Sequence, residues 1–315
     1  GGRRSVQGSP MMPKPLPDTP EPNGEIEQGK RRLPRWFRVP APGNERYREI
    51  QALLRREHLH TVCEGAHCPN IGECWGIHGT ATFMILGNCC TRRCRFCAVE
   101  KGTPSPPDIS EADSVARAVQ TLGLRHVVVT SVTRDDLPDG GASTFAEVIH
   151  RIRDANQDVT IEVLIPDFRG DVESLKVVLE ARPDVLNHNL ETVRRLYAAA
   201  RPQSDYERSL SVLRHASKQG CVTKTGIMVG LGERWDELEE LFADAARAGC
   251  SMMTIGQYLR PSEHHLPIDR FYTPDEFAML RSSAEKAGVS HVESGPLVRS
   301  SYHAAQQVNH ATRER

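Results

Sequence analysis

Six short runs rich in β-branched and other apolar residues recur between residues 82 and 259, and a polar, often Gly-containing stretch follows most of them. They are TFMIL (Thr82 to Leu86), HVVVTSV (His126 to Val132), TIEVLI (Thr160 to Ile165), VLNHNL (Val185 to Leu190), TKTGIMVGL (Thr223 to Leu231) and MMTIGQYL (Met252 to Leu259). Amphipathic segments separate them. Strand-length apolar runs alternating with helical patterns are the signature of repeated βα units around a parallel sheet. The fold class expected is therefore α/β, a partial TIM-type (β/α)6 barrel with N-terminal and C-terminal extensions. Residues Arg46 to Leu59 read as a helix ahead of the barrel. Ser204 with Glu207 has the capping-box spacing, and Thr273-Pro274-Asp275-Glu276 adds proline at the first helical position. Glu233 to Gly249 starts with acids and ends on glycine, as the helix dipole and C-cap preferences favour.

The remaining boundaries follow from composition. Residues 1–44 are rich in Pro, Gly, Arg and Glu without apolar periodicity and read as a flexible N-terminal arm. Within it, PRWFRVP (Pro34 to Pro40) reads as a docking segment, because Trp36 and Phe37 are costly to leave in water. Residues 45–81 form an N-terminal extension, 82–270 the barrel core and 271–315 a C-terminal extension. Forty basic against forty-one acidic residues give a formal net charge of −1, which removes the electrostatic footprint of a dedicated nucleic-acid binder. No run approaches the ~18 apolar residues of a membrane helix. No signal sequence is recognisable and the acids near the start argue against a transit peptide, so a cytoplasmic location is expected.

In barrels of this kind the reactive groups sit on loops after the C-terminal ends of the strands. The loop after the first strand here is GNCCTRRCRFC. Seven of the nine cysteines fall in this loop and in CEGAHCPNIGECW just before it, and in a chain without secretory features metal chemistry is a better reading than disulfides. Cys90, Cys94 and Cys97 form CxxxCxxC, a spacing with which three thiolates can grip three corners of a cubane 4Fe–4S cluster and leave the fourth iron open. Zinc is the competing reading, but it needs a fourth ligand and no vacancy. Cys89 breaks the spacing and reads as a small buried hydrophobe, as do the isolated Cys221 and Cys250. Cys63, Cys68 and Cys74 are spaced differently, CxxxxCxxxxxC, which suggests either a second cluster lacking one ligand or a metal that merely staples the N-terminal segment.

CxxxCxxC with Phe96 ahead of its last cysteine, after the first strand of six βα units, resembles the radical S-adenosylmethionine superfamily. In order and wording, LHTVCEGAHCPNIGECW, CTRRCRFC, TRDDLPDGGA, HNLETV, GIMVGLGE, TIGQYLRPS and GPLVRSSYHA resemble the lipoyl synthase family over residues 34 to 305. The resemblance implies two 4Fe–4S clusters and S-adenosyl-L-methionine as cofactors. Cys90, Cys94 and Cys97 would hold the radical-generating cluster; Cys63, Cys68, Cys74 and a serine of RSSY would hold an auxiliary one that donates sulfur. That serine falls on Ser301, with Ser300 as the other choice. The implied reaction inserts two sulfur atoms, at carbons 6 and 8, into an octanoyl chain carried on a protein lysine.

For S-adenosylmethionine the loops at Asn187 to Glu191, at Gly230 to Glu233 and from Arg134 are the candidates, with Glu191 and Arg201 as the contacts chosen. Each has a plainer reading as a helix-start carboxylate or a solvated arginine. The implied partners are octanoylated lipoyl domains of 2-oxoacid dehydrogenase E2 subunits, the glycine cleavage H protein, an electron donor such as ferredoxin or flavodoxin, and an iron–sulfur carrier. Arg92, Arg93 and Arg95 are candidates for a docking face toward an acidic domain. The alternatives are another sulfur-inserting radical enzyme and a non-catalytic zinc protein.

Overall fold

The computed structural model describes residues 26–27, 30–31, 33–39, 43–75, 82–302 and 304. Residues 1–34 and 35–315 are separate units. In the first, Ile26–Glu27 pairs antiparallel with Lys30–Arg31, and the remainder of the expected arm ahead of Leu33 lies outside the described residues. In the second, Arg35–Phe37 makes one turn of 3-10 helix that buries Phe37, whose ring packs 5.5 Å from that of Phe271.

The six expected strands all form. They are β1 (Thr82–Ile85), β2 (His126–Ser131), β3 (Thr160–Leu164), β4 (Val185–Asn187), β5 (Val222–Val229) and β6 (Met252–Gln257), and a further strand β7 (His291–Gly295) follows. Each pairs in parallel with the next in sequence order. His60–Thr61 adds antiparallel to the outer side of β1. Before the sheet lies α1 (Glu45–Arg56), and the crossovers are α2 (Glu111–Leu122), α3 (Ala142–Ala155), α4 (Val172–Glu180), α5 (Tyr206–Lys218), α6 (Trp235–Arg247) and α7 (Pro274–Lys286). This is a partial TIM-type barrel, with β7 and its helix extending the six-unit core.

Strand alternation sorts the side chains. Val127, Val129, Ile161 and Val163 are fully buried in the layer shared with the helices. On the opposite face, Glu162 and Lys224 are also fully buried, and Leu164 and Gly226, two residues further along their strands, line a cavity at the strand ends. The helix ends mostly follow their residues. Thr273 and Glu276 make a reciprocal capping box with Pro274 at the first position of α7. At α5 the cap is Asp205, whose carboxylate accepts the Arg208 N–H at 2.7 Å, and not Ser204. β4 stops at Asn187, short of the run that ends at Leu190, and beyond it Glu191 takes a left-handed φ of 66°. That turn lets Glu191 make an isolated bridge to Ile227.

Candidate active site

A cavity of about 370 Å³ opens at the C-terminal ends of the strands, and Cys90, Cys94, Cys97, Glu191, Arg201 and Ser300 all line it. Its apolar wall includes Val132, Leu164, Ile165, Met228 and Leu259. The loop that carries the cysteines is short and tied on every side. Cys89–Cys90 pairs with Glu100–Lys101, the Arg95 N–H donates to the Ala200 carbonyl at 2.8 Å, and the Leu266 N–H donates to the Arg95 carbonyl at 3.0 Å. Lys101 Nζ donates to the Cys97 carbonyl at 2.9 Å, and His265 Nε2 lies 3.0 Å from the same oxygen. The backbone N–H groups of Arg92 and Thr133 each point at Cys90 Sγ from 3.4 Å. Burial pushes the Cys97 thiol up to about 12 and raises that of Cys94, against the nearby Arg201.

Glu191 and Arg201 meet at this cavity. Burial raises the Glu191 carboxyl, while Arg201 and the Asn189 amide work in the other direction. Arg201 is 8% exposed and its Nη1 donates to the Asn189 carbonyl at 2.9 Å and to the Tyr197 hydroxyl at 3.2 Å. Its Nε has no protein partner. The other two candidate loops are committed elsewhere. Arg134 is buried, paired with Asp136 at 2.8 Å and bonded to the Leu86 carbonyl. Glu233 accepts the N–H groups of Gly230 and Leu231 at 2.6 and 2.9 Å. Gly230 itself has a φ of +100°, and a Cβ there would fall 2.1 Å from Gln257 Nε2.

The first triplet is wound by two tight turns, with Cys68 N–H on the Cys63 carbonyl at 3.0 Å and Cys74 N–H on the Asn70 carbonyl at 2.8 Å. The C-terminal segment closes over it. Asn70 Nδ2 donates to the Leu297 carbonyl at 2.6 Å, and the Tyr302 hydroxyl donates to Glu73 at 3.2 Å. Thr82 Oγ1 donates to Ser301 Oγ at 2.8 Å, and Thr82 also faces the Cys63 sulfur. The neighbouring Ser300 turns the other way and accepts from Asn189 Nδ2 at 3.4 Å. Burial pushes the Cys63 thiol up to about 11 and also raises that of Cys68, against the charge of Arg299.

Both triplets therefore offer soft donors, Cys63 buried and the other five half-buried, which suit an iron–sulfur unit that needs thiolates. Among the described residues, no three His, Cys, Asp or Glu side chains gather closely enough to hold a single metal ion. A cubane, whose corners are spread, does not require that. Three expectations need correction. Arg92 is 3% exposed and ion-paired with Asp135 and Asp167, so it offers nothing to a docking partner; Arg93 and Arg95 are exposed. Cys89 is half-buried and lines a separate polar cavity with Asn88 and Glu100. Cys221 is half-buried, while Cys250 is buried as expected.

Two cavity residues were not singled out from sequence. His188 Nδ1 lies 2.9 Å from the Ile165 carbonyl, which can only accept, so Nδ1 carries the proton and Nε2 presents a lone pair without a partner. Burial, then Arg201, lowers this imidazole to about 4. Arg299 also lines the cavity, and the arginine of RSSY was its signal.

The sequence profile of the radical SAM superfamily matches residues 84–245. A lipoyl synthase from Koribacter versatilis is 56% identical over 88% of this chain and 91% of its own length. One from Rubrobacter xylanophilus is 55% identical over 91% of this chain and 90% of its own. Among solved structures, HydG, a maturase of the [FeFe]-hydrogenase, superposes with a TM-score of 0.54 at 16% identity, covering 71% of this chain and 58% of that one. Streptococcus suis SuiB bound to S-adenosylmethionine gives 0.53 at 9% identity, covering 72% and 54%. At these identities the two likenesses concern the fold alone.

Proposed function

The chain belongs to the lipoyl synthase family of the radical S-adenosylmethionine superfamily, and from that premise we propose how its residues divide the work. The protein is a sulfurtransferase that inserts two sulfur atoms, at C6 and C8, into an octanoyl chain carried by a protein. Cys90, Cys94 and Cys97 would hold one 4Fe–4S cluster. Cys63, Cys68, Cys74 and Ser301 would hold the other. When bound, the two clusters supply the electron that cleaves S-adenosylmethionine and the sulfur that is inserted.

Around them the chain orients and shields. Glu191 and Arg201 present opposite charges to the polar part of S-adenosylmethionine, and Tyr197 and the Asn189 carbonyl fix the Arg201 guanidinium. His188 Nε2 offers a neutral acceptor at the same wall. The Leu164, Ile165 and Met228 side receives the octanoyl tail and keeps water from a reactive carbon. Ser301 is preferred to Ser300 as the fourth auxiliary ligand because it shares Thr82 with Cys63. An oxygen ligand is harder than a thiolate and would hold iron less firmly.

The convergence of Cys90, Cys94 and Cys97 with Glu191 and Arg201 on one cavity carries this reading. The protein substrate is a lipoyl domain of a 2-oxoacid dehydrogenase E2 subunit or the glycine cleavage H protein. Ferredoxin or flavodoxin supplies electrons, an iron–sulfur carrier restores the auxiliary cluster, and the setting is the cytoplasm. Among the described residues no helix is long and apolar enough to cross a membrane. Two variants test the division. Cys94→Ala abolishes cleavage of S-adenosylmethionine. Cys63→Ala keeps cleavage and loses sulfur insertion; insertion that survives in Cys63→Ala refutes the donor assignment.

A further inference from the structure

Arg92 stands between two of the proposed cluster ligands, yet its side chain turns away from the cavity. Its guanidinium forks onto Asp135, with Nε to Oδ2 at 2.7 Å and Nη2 to Oδ1 at 2.9 Å. Nη2 also reaches Asp167 Oδ1 at 2.6 Å. Asp167 is fully buried and is shared with Arg208, whose Nε donates to Oδ2 at 2.7 Å. Asp135 follows β2, Asp167 follows β3 and Arg208 lies on α5 after β4, so two cations and two carboxylates tie the cysteine loop to three successive βα units. A second path runs through the backbone. The Asp135 N–H donates to Thr91 Oγ1 at 3.1 Å, that hydroxyl donates to the Thr133 carbonyl at 2.9 Å, and the Thr133 N–H points at Cys90 Sγ.

We propose that Arg92, held by Asp135 and Asp167, is a positioning residue of the radical-generating site that fixes the cysteine loop and sets the electrostatic potential at the cluster. The inference rests on the assignment of Cys90, Cys94 and Cys97 as its ligands. Two physical properties of the network lead to it. A planar fork on a carboxylate fixes orientation as an ammonium cannot. Net charge and hydrogen bonds to the sulfurs are among the levers that set an iron–sulfur potential, and charges act strongly where water is excluded. Reduction adds a negative charge to the cluster, which a nearby carboxylate opposes and a nearby guanidinium favours.

The test is a redox titration of the full cluster-loaded chain by electron paramagnetic resonance, following the signal that changes when S-adenosylmethionine is added. Asp135→Asn shifts its midpoint potential upward and Arg92→Met shifts it downward. Arg92→Lys stays near the parent potential but slows S-adenosylmethionine cleavage by about 10–100-fold, the usual cost of losing an outer-shell partner. Asp135 is a quarter exposed, so its substitution is tolerated and decides the matter if Arg92→Met fails to load iron. Opposite shifts support the proposal. Shifts of one sign, an unmoved potential in Asp135→Asn, or an Arg92→Lys chain as fast as the parent overturn it. A parent chain that shows no signal responsive to S-adenosylmethionine refutes the ligand assignment instead.

Discussion

Beneath the cavity floor, inside the barrel, Lys224 and Glu162 face each other with both side chains fully buried, Nζ lying 3.1 Å from one carboxylate oxygen and 3.2 Å from the other. Lys224→Met removes the cation and leaves the carboxylate with the Asn187 amide at 2.9 Å and His126 Nε2 at 3.7 Å. Breaking a buried pair by removing one partner costs about 3–5 kcal/mol. The surviving Asn187 bond places this case near 3 kcal/mol by the same scale, or on the order of 6–12 °C in thermal midpoint for a domain of this size. Adding Glu162→Gln removes the stranded charge, so the double variant recovers most of that loss. Thermal unfolding of the iron-loaded protein, followed by circular dichroism, measures the parent, the two single variants and the double one. A single variant within about 1 °C of the parent, or a double variant whose loss is the sum of the two single ones, refutes the reasoning. The acid limb moves as well. Burial raises the Glu162 carboxyl, but Lys224, His126 and Asn187 together hold it down to about 2. A depressed carboxyl contributes its stability above the ordinary carboxylate range and loses it as pH falls toward that folded value. Without Lys224 the burial effect is less opposed and the carboxyl rises, so less stability is lost on acidification and the gap between variant and parent narrows as pH falls.

Three further outcomes follow from the site and its supports. Ser301→Ala removes the oxygen-ligated iron from the Mössbauer spectrum of the loaded chain, whereas Ser300→Ala leaves it; the reverse result moves the assignment to Ser300. Arg201→Lys keeps a charge but loses the bonds to Asn189 and Tyr197, and raises KM for S-adenosylmethionine about ten-fold, equivalent to ~1.4 kcal/mol; an unchanged KM removes Arg201 from that contact. Thr273→Ala breaks the capping box of α7 and lowers stability by about 1 kcal/mol, read as a fall in thermal midpoint, and no fall contradicts the cap.

Much of the barrel was legible because buried parallel strands are made of residues that suit nothing else. HVVVTS and TIEVL declare themselves. The strand HVESG at His291–Gly295 was missed because it has a single buried apolar residue, Val292, and its register is supplied by β6, which no local pattern records. At β4 the apolar run continued through Leu190 while the backbone turned at Glu191. The cysteine spacing identified two distinct sets, since ligand spacing on a tight loop is a local property. Arg92 was misread for the opposite reason: its partners Asp135 and Asp167 lie on other loops, and a sequence of consecutive arginines does not say which one turns inward. The same limit applied to RSSY. Only the fold separates Ser300, which meets Asn189, from Ser301, which meets Thr82.

The most direct test of the whole account is the mass of an octanoylated lipoyl domain after anaerobic incubation with the reduced, fully iron-loaded chain and S-adenosylmethionine. The expected product has gained two sulfur atoms, with one S-adenosylmethionine cleaved for each. A domain of unchanged mass, while S-adenosylmethionine is cleaved and about eight irons per chain are present as two cubanes require, would contradict it.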